Sequence, residues 1–216
     1  MHQTLPCPLC HAEAPHWFAD HWRDYYRCSR CALVAVPPHQ HPSPEEEKAE
    51  YALHDNAVDD PGYRRFLARL ANPLLDRLPQ GSTGIDFGCG PGPALAAMLE
   101  EAGHRVRLYD PFFYPDASVL QPGQDFITAT EVLEHLSRAG EELERLWGLL
   151  RPGGWLAVMT QRLPAHEAFA GWHYRRERSH ICFFDAETFR WLAQRWKAEL
   201  VLEGRDVALL RKPLAP

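Results

Sequence analysis

Three glycines spaced one apart, Gly88, Gly90 and Gly92, close an apolar run that ends in an acid, reading IDFGCGPG over residues 85–92. Such a run reads as a buried strand, and the glycines as a tight turn that needs positive φ and a close approach of a ligand to the backbone. Ala94, Leu95, Ala97, Met98 and Leu99 then carry the helix that leaves the turn. A helix entered this way presents unpaired N–H groups and a partial positive charge, which suits a carboxylate or a phosphate. The rest of the chain can be placed relative to this stretch.

Downstream, strand and helix patterns alternate. Arg105 to Tyr109 reads as a strand ending at Asp110, and Phe126 to Ala129 as another, followed by Thr130, Glu131, Glu134 and His135. A helix from Ser137 to Leu150 stops at Arg151-Pro152-Gly153-Gly154. A strand from Trp155 to Thr160 leads into a long segment, 161–184. Asp185 caps a last helix through Trp196, and AELVLEG and VALLRK close the chain as a pair of strands. This alternation predicts an α/β fold with a doubly wound, mostly parallel sheet. Ligands of such sheets lie beyond the strand carboxyl ends, where Asp86, Asp110, Glu131 and the segment after Thr160 would converge.

Upstream stand two CxxC pairs, Cys7 with Cys10 and Cys28 with Cys31, separated by residues 11–27. That spacing predicts a four-cysteine zinc ribbon over 1–36, and four thiolates leave no open position, so the ion would be structural. The alternative for a CxxC pair is redox chemistry. Residues 37–80 read as a proline-rich linker, PPHQHPSP, and N-terminal helices. Ser43, Pro44 and Glu46 signal a helix start, and Tyr63, Phe66, Leu67 and Leu70 form an apolar stripe meant for the main sheet. Tyr51, His54 and Asn56 fall in a polar stretch that is either a solvated loop or a lid over a ligand. Residues 81–216 make the main domain.

Two details select among the ligands a glycine turn can hold. Pro93 occupies the third fingerprint position of a dinucleotide binder, and Asp86 is unwelcome beside a pyrophosphate but suits the ammonium of an amino acid. Asp110 lies 20 residues after Gly90 (110 − 90), the spacing of an acid that accepts from ribose hydroxyls. An amino acid joined to a nucleoside fits. In these residues the chain resembles the class I S-adenosylmethionine (SAM)-dependent methyltransferases: IDFGCGPG is similar to their first motif, Asp110 to the acid after their second strand, ATEVLEHL to their fourth-strand motif, and LLRPGGWLAVMT to the helix, turn and strand that follow. The resemblance implies a Rossmann-like sheet of seven strands with an antiparallel last hairpin and SAM across the strand tips. It implies methionine contacts on Asp86, Phe87, Gly88, Cys89 and Gly90, the ribose on Asp110 beside Pro111, and the adenine and sulfonium surroundings on the stretch 125–131 with Thr130 and Glu131. Tyr51, His54 and Asn56 would close over the cofactor as the lid.

For the reaction, displacement at an activated methyl group needs positioning more than a dedicated base. If the acceptor must lose a proton, His180, His135 and His173 are the candidates, His135 having a structural alternative as a residue that caps or packs against the cofactor loop. Trp172, His173, Tyr174, Arg175 and Arg178 are the candidates for acceptor binding, the arginines having ordinary surface pairing as their alternative. A small-molecule acceptor is expected. An RNA methyltransferase is the alternative, because the cysteine module before this domain also resembles that of certain ribosomal RNA guanine methyltransferases; a non-catalytic SAM-binding or scaffold protein is the second. The net charge of −6 gives no general pull toward nucleic acid. No apolar run of membrane-spanning length and no leader-like N-terminus is present in the sequence, so a cytoplasmic protein, a monomer or weak homodimer, is expected.

Overall fold

The computed structural model describes residues 4–51 and 57–215. The front of the chain forms short strands β1 (Thr4–Pro6), β2 (Glu13–Ala19), β3 (Asp24–Arg27) and β4 (Val34–Ala35), then helices α1 (Pro44–Tyr51) and α2 (Pro61–Leu75). The main domain continues through β5 (Thr83–Phe87), α3 (Ala94–Glu101), β6 (Arg105–Tyr109), β7 (Gln124–Thr130), α4 (Ala139–Leu149) and β8 (Leu150–Met159). It ends with α5 (His166–Phe169), β9 (Cys182–Phe183), α6 (Ala186–Trp196), β10 (Glu199–Glu203) and β11 (Val207–Arg211).

Local chemistry explains several of these boundaries. At α1 the Ser43 hydroxyl accepts from the Glu46 amide and the Glu46 carboxylate from the Ser43 amide, a reciprocal cap. Asp60 caps α2 with Pro61 in the first turn, and Leu67, Leu70 and Leu74 are buried on one face at helical spacing. Asp185 and Thr188 cap α6 in the same reciprocal way.

The main sheet has the order β10-β11-β8-β7-β5-β6, with β6, β5, β7, β8 and β10 running the same way and β11 antiparallel to both its neighbours, β10 and β8. It is a methyltransferase-like α/β arrangement of six strands among the described residues rather than seven. The sheet ends at β6. A strand beyond that edge would come from residues 111–123, where Pro111, Pro115 and Pro122 lack the N–H a ladder needs; Asp110 and Tyr114 instead pair back on each other and a 3-10 turn covers Ala117–Val119. The chain leaves β5 toward β6 and returns to β7 on the other side of β5, so the crossover point opens beyond Phe87, Tyr109 and Thr130.

The cysteine module is built into the domain. Its antiparallel sheet runs β1-β2-β3-β4-β9, and β9 comes from the long segment after β8. Its Cys7, Leu9, Tyr26 and Leu33 share one core with Ile85, Ile127, Leu143, Leu156 and Phe189 of the main domain. Gly140 of α4 donates its N–H to the Pro8 carbonyl at 2.9 Å, and any side chain at this position would overlap the Leu9 carbonyl. On the opposite face of the main sheet α2 and α3 cover a second core around Phe126, Trp155 and Leu209. Among the described residues no helix is long and apolar enough to cross a membrane.

Candidate active site

Beyond the strand tips lies a cavity of about 600 Å³. One wall is the glycine turn: Phe87, Gly88, Cys89, Gly90 and Pro91 line it. The turn hangs on the end of β6, where the Tyr109 carbonyl accepts from Gly88 at 2.7 Å and from Cys89 at 3.4 Å. Gly88 and Gly90 both have positive φ, 71° and 64°. A Cβ on Gly88 would strike Val132, whereas one on Gly90 meets nothing within 4 Å. The space above Gly90 is therefore open to a ligand.

Asp110 forms the adjoining wall with Pro111. Its Oδ2 accepts from the Gly90 amide at 3.0 Å and its Oδ1 from the Phe112 and Phe113 amides at 2.8 and 3.0 Å. Three amides orient the carboxylate, and an ionised carboxylate retains lone pairs for further donors. Phe112 and Phe113 also line the cavity, as do Tyr63 and Phe66 from α2 and Arg145 from α4. The Arg145 guanidinium lies 5.7 Å from the Phe87 ring centre and 5.9 Å from that of Tyr109. None of these five was singled out for the site from sequence. On α2 and α4 the apolar stripe that covers the core extends to the cavity rim, and periodicity alone does not separate the two uses.

Asp86 stands behind this wall. Its carboxylate accepts from the Thr128 hydroxyl at 2.7 Å and from the Ala96 amide in the first turn of α3, and burial pushes its pKa up to about 7. It braces the strand against the helix and does not line the cavity, where an ammonium contact was expected. The stretch 125–131 is likewise only partly at the site. Asp125 lies at the start of β7, accepting from the Thr83 amide at 2.7 Å and pairing with Arg151, while Thr130 and Glu131 at its other end line the cavity. Glu131 has φ of 51°, a left-handed conformation for a side chain with a Cβ, stored at the cavity rim. Burial and the neighbouring Glu134 push its pKa up to about 9.

His135 and His180 also line the cavity, their ring centres 4.8 Å apart. His135 Nδ1 stands 3.0 Å from the Ser179 carbonyl and His180 Nδ1 2.7 Å from that of Tyr174. A carbonyl only accepts, so each Nδ1 carries a proton. Burial lowers the pKa of His135. For His180 burial acts the same way, but the Glu177 carboxylate, 3.1 Å from Nε2, and Glu134 outweigh it and raise the pKa.

The structure does not bring the other residues expected on the acceptor side to this cavity. Trp172, His173, Tyr174, Arg175 and Arg178 do not line the cavity. Arg175 is buried in a cage of Phe18, Tyr25 and Phe169, ion-paired to Asp20 of the cysteine module and bonded to the carbonyls of Phe169 and Ala170. Trp172 packs on Phe169, Tyr174 and Phe183. His173 and Arg178 are exposed. The Tyr174 hydroxyl lies behind the wall, bonded to Glu134, 3.1 Å from Glu131 and 3.2 Å from Thr160. His54 and Asn56 lie outside the described residues, as does the Tyr51 side chain.

At the front, the four sulfurs of Cys7, Cys10, Cys28 and Cys31 lie within 4.8 Å of one another. Cys7 and Cys31 are 3.5 Å apart, Cys10 and Cys28 3.4 Å. Thiolates around one zinc ion at 2.3 Å stand about 3.8 Å apart, so the donor set fits tetrahedral coordination with small adjustments. The Leu9 amide points at Cys7 Sγ, and the Arg30 and Cys31 amides at Cys28 Sγ.

The profile of a methyltransferase-domain family matches residues 61–202. In sequence the chain is similar to trans-aconitate 2-methyltransferase of Methylobacterium radiotolerans, 38% identical over 122 residues that cover 44% of this chain and 46% of that protein. The chain thus spans about half the length of the curated relative it matches. In structure it is similar to 1,6-didemethyltoxoflavin-N1-methyltransferase of Burkholderia thailandensis, solved with 1,6-didemethyltoxoflavin and S-adenosylhomocysteine bound: TM-score 0.50, 18% identity, covering 92% of this chain and 99% of that one. An O-methyltransferase family protein of the same organism gives a TM-score of 0.51 at 17% identity, covering 78% and 63% of the two chains. At these identities the structural likeness is one of fold.

Proposed function

The chain belongs to the methyltransferase-domain family, and we propose that it moves the methyl group of SAM to an oxygen or nitrogen of a small-molecule acceptor. The observation that carries this reading is the meeting of Gly90 and Asp110 at one cavity wall: open space above a left-handed glycine, next to a carboxylate held by three amides. The methionine part of SAM lies along the turn from Phe87 to Gly90, and its ribose hydroxyls donate to Asp110. Phe112, Phe113 and Pro111 face the nucleoside, and Thr130 and Glu131 stand toward the sulfonium. His135 and His180 handle the proton of the acceptor.

Carboxylates of Glu47, Asp110, Glu142 and Glu177 line the same cavity as Arg145. Arg145 is bonded to Glu142 at 2.6 Å. The charge balance favours a cationic cofactor and an acceptor that is neutral or positively charged. It does not favour RNA, and neither does the cysteine module. Arg23 there donates to the carbonyls of Arg175, Glu177, Arg178 and His180, and Arg27 pairs with Asp185 at 2.8 Å. In this reading one zinc ion sits on Cys7, Cys10, Cys28 and Cys31 and folds the module.

Titration calorimetry with S-adenosylhomocysteine (SAH) tests the cofactor site: micromolar binding is expected, weakened at least tenfold in Asp110→Ala, and no heat at millimolar ligand would refute the reading. For the acceptor, label from methyl-labelled SAM should appear in the small-molecule fraction of an extract; label recovered in RNA would transfer the assignment to the alternative.

A further inference from the structure

Besides the four thiols, one more group of side chains among the described residues stands close enough to share a metal ion: Glu134, His135 and His180, whose donor atoms lie within 4.8 Å of one another. Glu134 ends the β7 motif one turn beyond the sheet, and the His180 loop is tied to it because the Ile181 amide donates to the Glu134 carbonyl at 2.8 Å. His135 and His180, 45 positions apart (180 − 135), are thereby held at one wall.

Glu134 has no exposed surface, and only one of its oxygens is satisfied, by the Tyr174 hydroxyl. The other, Oε2, is buried without a hydrogen-bond partner. A bare buried carboxylate oxygen is costly and calls for a cation or a donor. The two imidazoles beside it carry no donor for it on Nδ1, since those protons go to the Ser179 and Tyr174 carbonyls. Imidazoles that bind metals are oriented in this manner, with one nitrogen on a backbone carbonyl and Nε2 turned to the ion.

We propose that Glu134, His135 and His180 bind a divalent first-row transition-metal ion in the cavity wall, with its open coordination positions turned toward the acceptor. Two imidazoles and a carboxylate suit such an ion and leave sites for substrate or water. Ligands at about 2.1 Å from an ion stand about 3 to 3.5 Å apart, so binding draws the three donors together by roughly an ångström. Glu177, now 3.1 Å from His180 Nε2, turns away through a half-exposed side chain. The ion's purpose rests on the methyl-transfer reading; its presence does not. Coordination of an acceptor hydroxyl lowers its pKa. His135 and His180 then act on the acceptor's proton through the ion they hold and not as bases: the proton passes to water, the oxygen electron pair forms the O–CH3 bond, and the electrons of the S–CH3 bond stay on sulfur as SAH leaves.

Metal-stripped full-length protein titrated with Co2+ under reducing conditions tests the proposal. Two equivalents are expected, one with intense thiolate-to-metal absorption and one with only weak visible bands. His180→Ala should keep the first and lose the second. Saturation of the wild type at one thiolate-type equivalent would overturn the site, as would a second equivalent that survives in both His180→Ala and Glu134→Gln. If His180→Ala loses both signals through misfolding, His135→Ala decides by the same criterion. SAH calorimetry on the same samples separates the two readings: two bound ions without SAH binding would sink the methyl-transfer assignment and leave the ion in place.

Discussion

The glycine turn and the segment 161–184 both face the region beyond the strand tips, yet their polar groups are spent differently. In the turn the polar groups are backbone amides, and the fold aims them at a ligand space: Gly90 carries no side chain, and Asp110 is oriented by amides within three residues of it and by Gly90. In 161–184 the conspicuous side chains are spent inward, as Arg175 pairs with Asp20 and Trp172 and Phe169 pack on Phe183. That segment is a clasp: β9 completes the sheet of the cysteine module, and Arg23 reaches back from the module to the carbonyls of residues 175–180. Only its end, Glu177 and His180, touches the cavity.

If the clasp and the cofactor wall are separate structures, breaking the first should spare the second. The largest effect is expected from Cys28→Ser or from chelation. If the four thiols hold a structural zinc, as proposed, its loss removes on the order of 10 kcal/mol from the module, and proteolysis should then cut within 161–184. SAH affinity should change by less than about threefold, and a parallel loss of SAH binding would show that the module shapes the cofactor wall. Next in size is Arg175→Ala, which empties the aromatic cage of its buried guanidinium and takes the ion-pair partner from Asp20, left with the Trp22 and Arg23 amides, at a cost of about 3 kcal/mol. Denaturant midpoints measure the cost. Arg178→Ala, exposed, should change stability by less than about 0.5 kcal/mol; equal losses from the two substitutions would erase the distinction drawn between them.

The same difference explains what could be read from the sequence. The glycine turn, the acid 20 residues after Gly90 (110 − 90) and the cap at Asp185 are local in sequence, and each obeys a backbone rule that spacing reveals. The parallel sheet order follows from the alternation of strands and helices. The clasp follows no such rule. Asp20 and Arg175 meet across 155 residues, and β9 is two residues long, too short to register as a strand pattern. Charged and aromatic residues in 161–184 therefore looked available for an acceptor when they were already paired. The missing edge strand has a compositional trace in the prolines of 111–123, whereas Phe112 and Phe113 at the cavity were hidden among them as irregular chain.

Asp86 sharpens the comparison from inside the cofactor half, where one polar side chain is spent structurally. Burial raises its pKa from 3.8 to about 7. A group whose folded pKa is raised stabilises most below its unfolded pKa, and that contribution is lost as pH rises through the folded value. Asp86 thus makes the protein less stable between about pH 4 and 7, by at most about 4 kcal/mol. Asp86→Asn keeps an acceptor for Thr128 and Ala96 but has no proton to lose. Its urea midpoint should fall less steeply than that of the wild type over this range, and an unchanged slope would show that Asp86 is not the group responsible.

The smallest effect on stability should accompany a large one on binding. Gly90 has φ of 64° and nothing within 4 Å of the position a Cβ would take. Gly90→Ala therefore costs only the left-handed strain of an alanine, about 1 kcal/mol. If the open space is where the cofactor backbone passes, the methyl group occupies it and SAH affinity should fall by more than tenfold. Gly88→Ala provides the contrast, since its Cβ would meet Val132 and should lower the denaturant midpoint well beyond that of Gly90→Ala. Were Gly90→Ala to bind SAH as the wild type does, the space above the turn would belong to solvent, and the adjoining wall, at Phe112 and Phe113, would have to hold the cofactor without it.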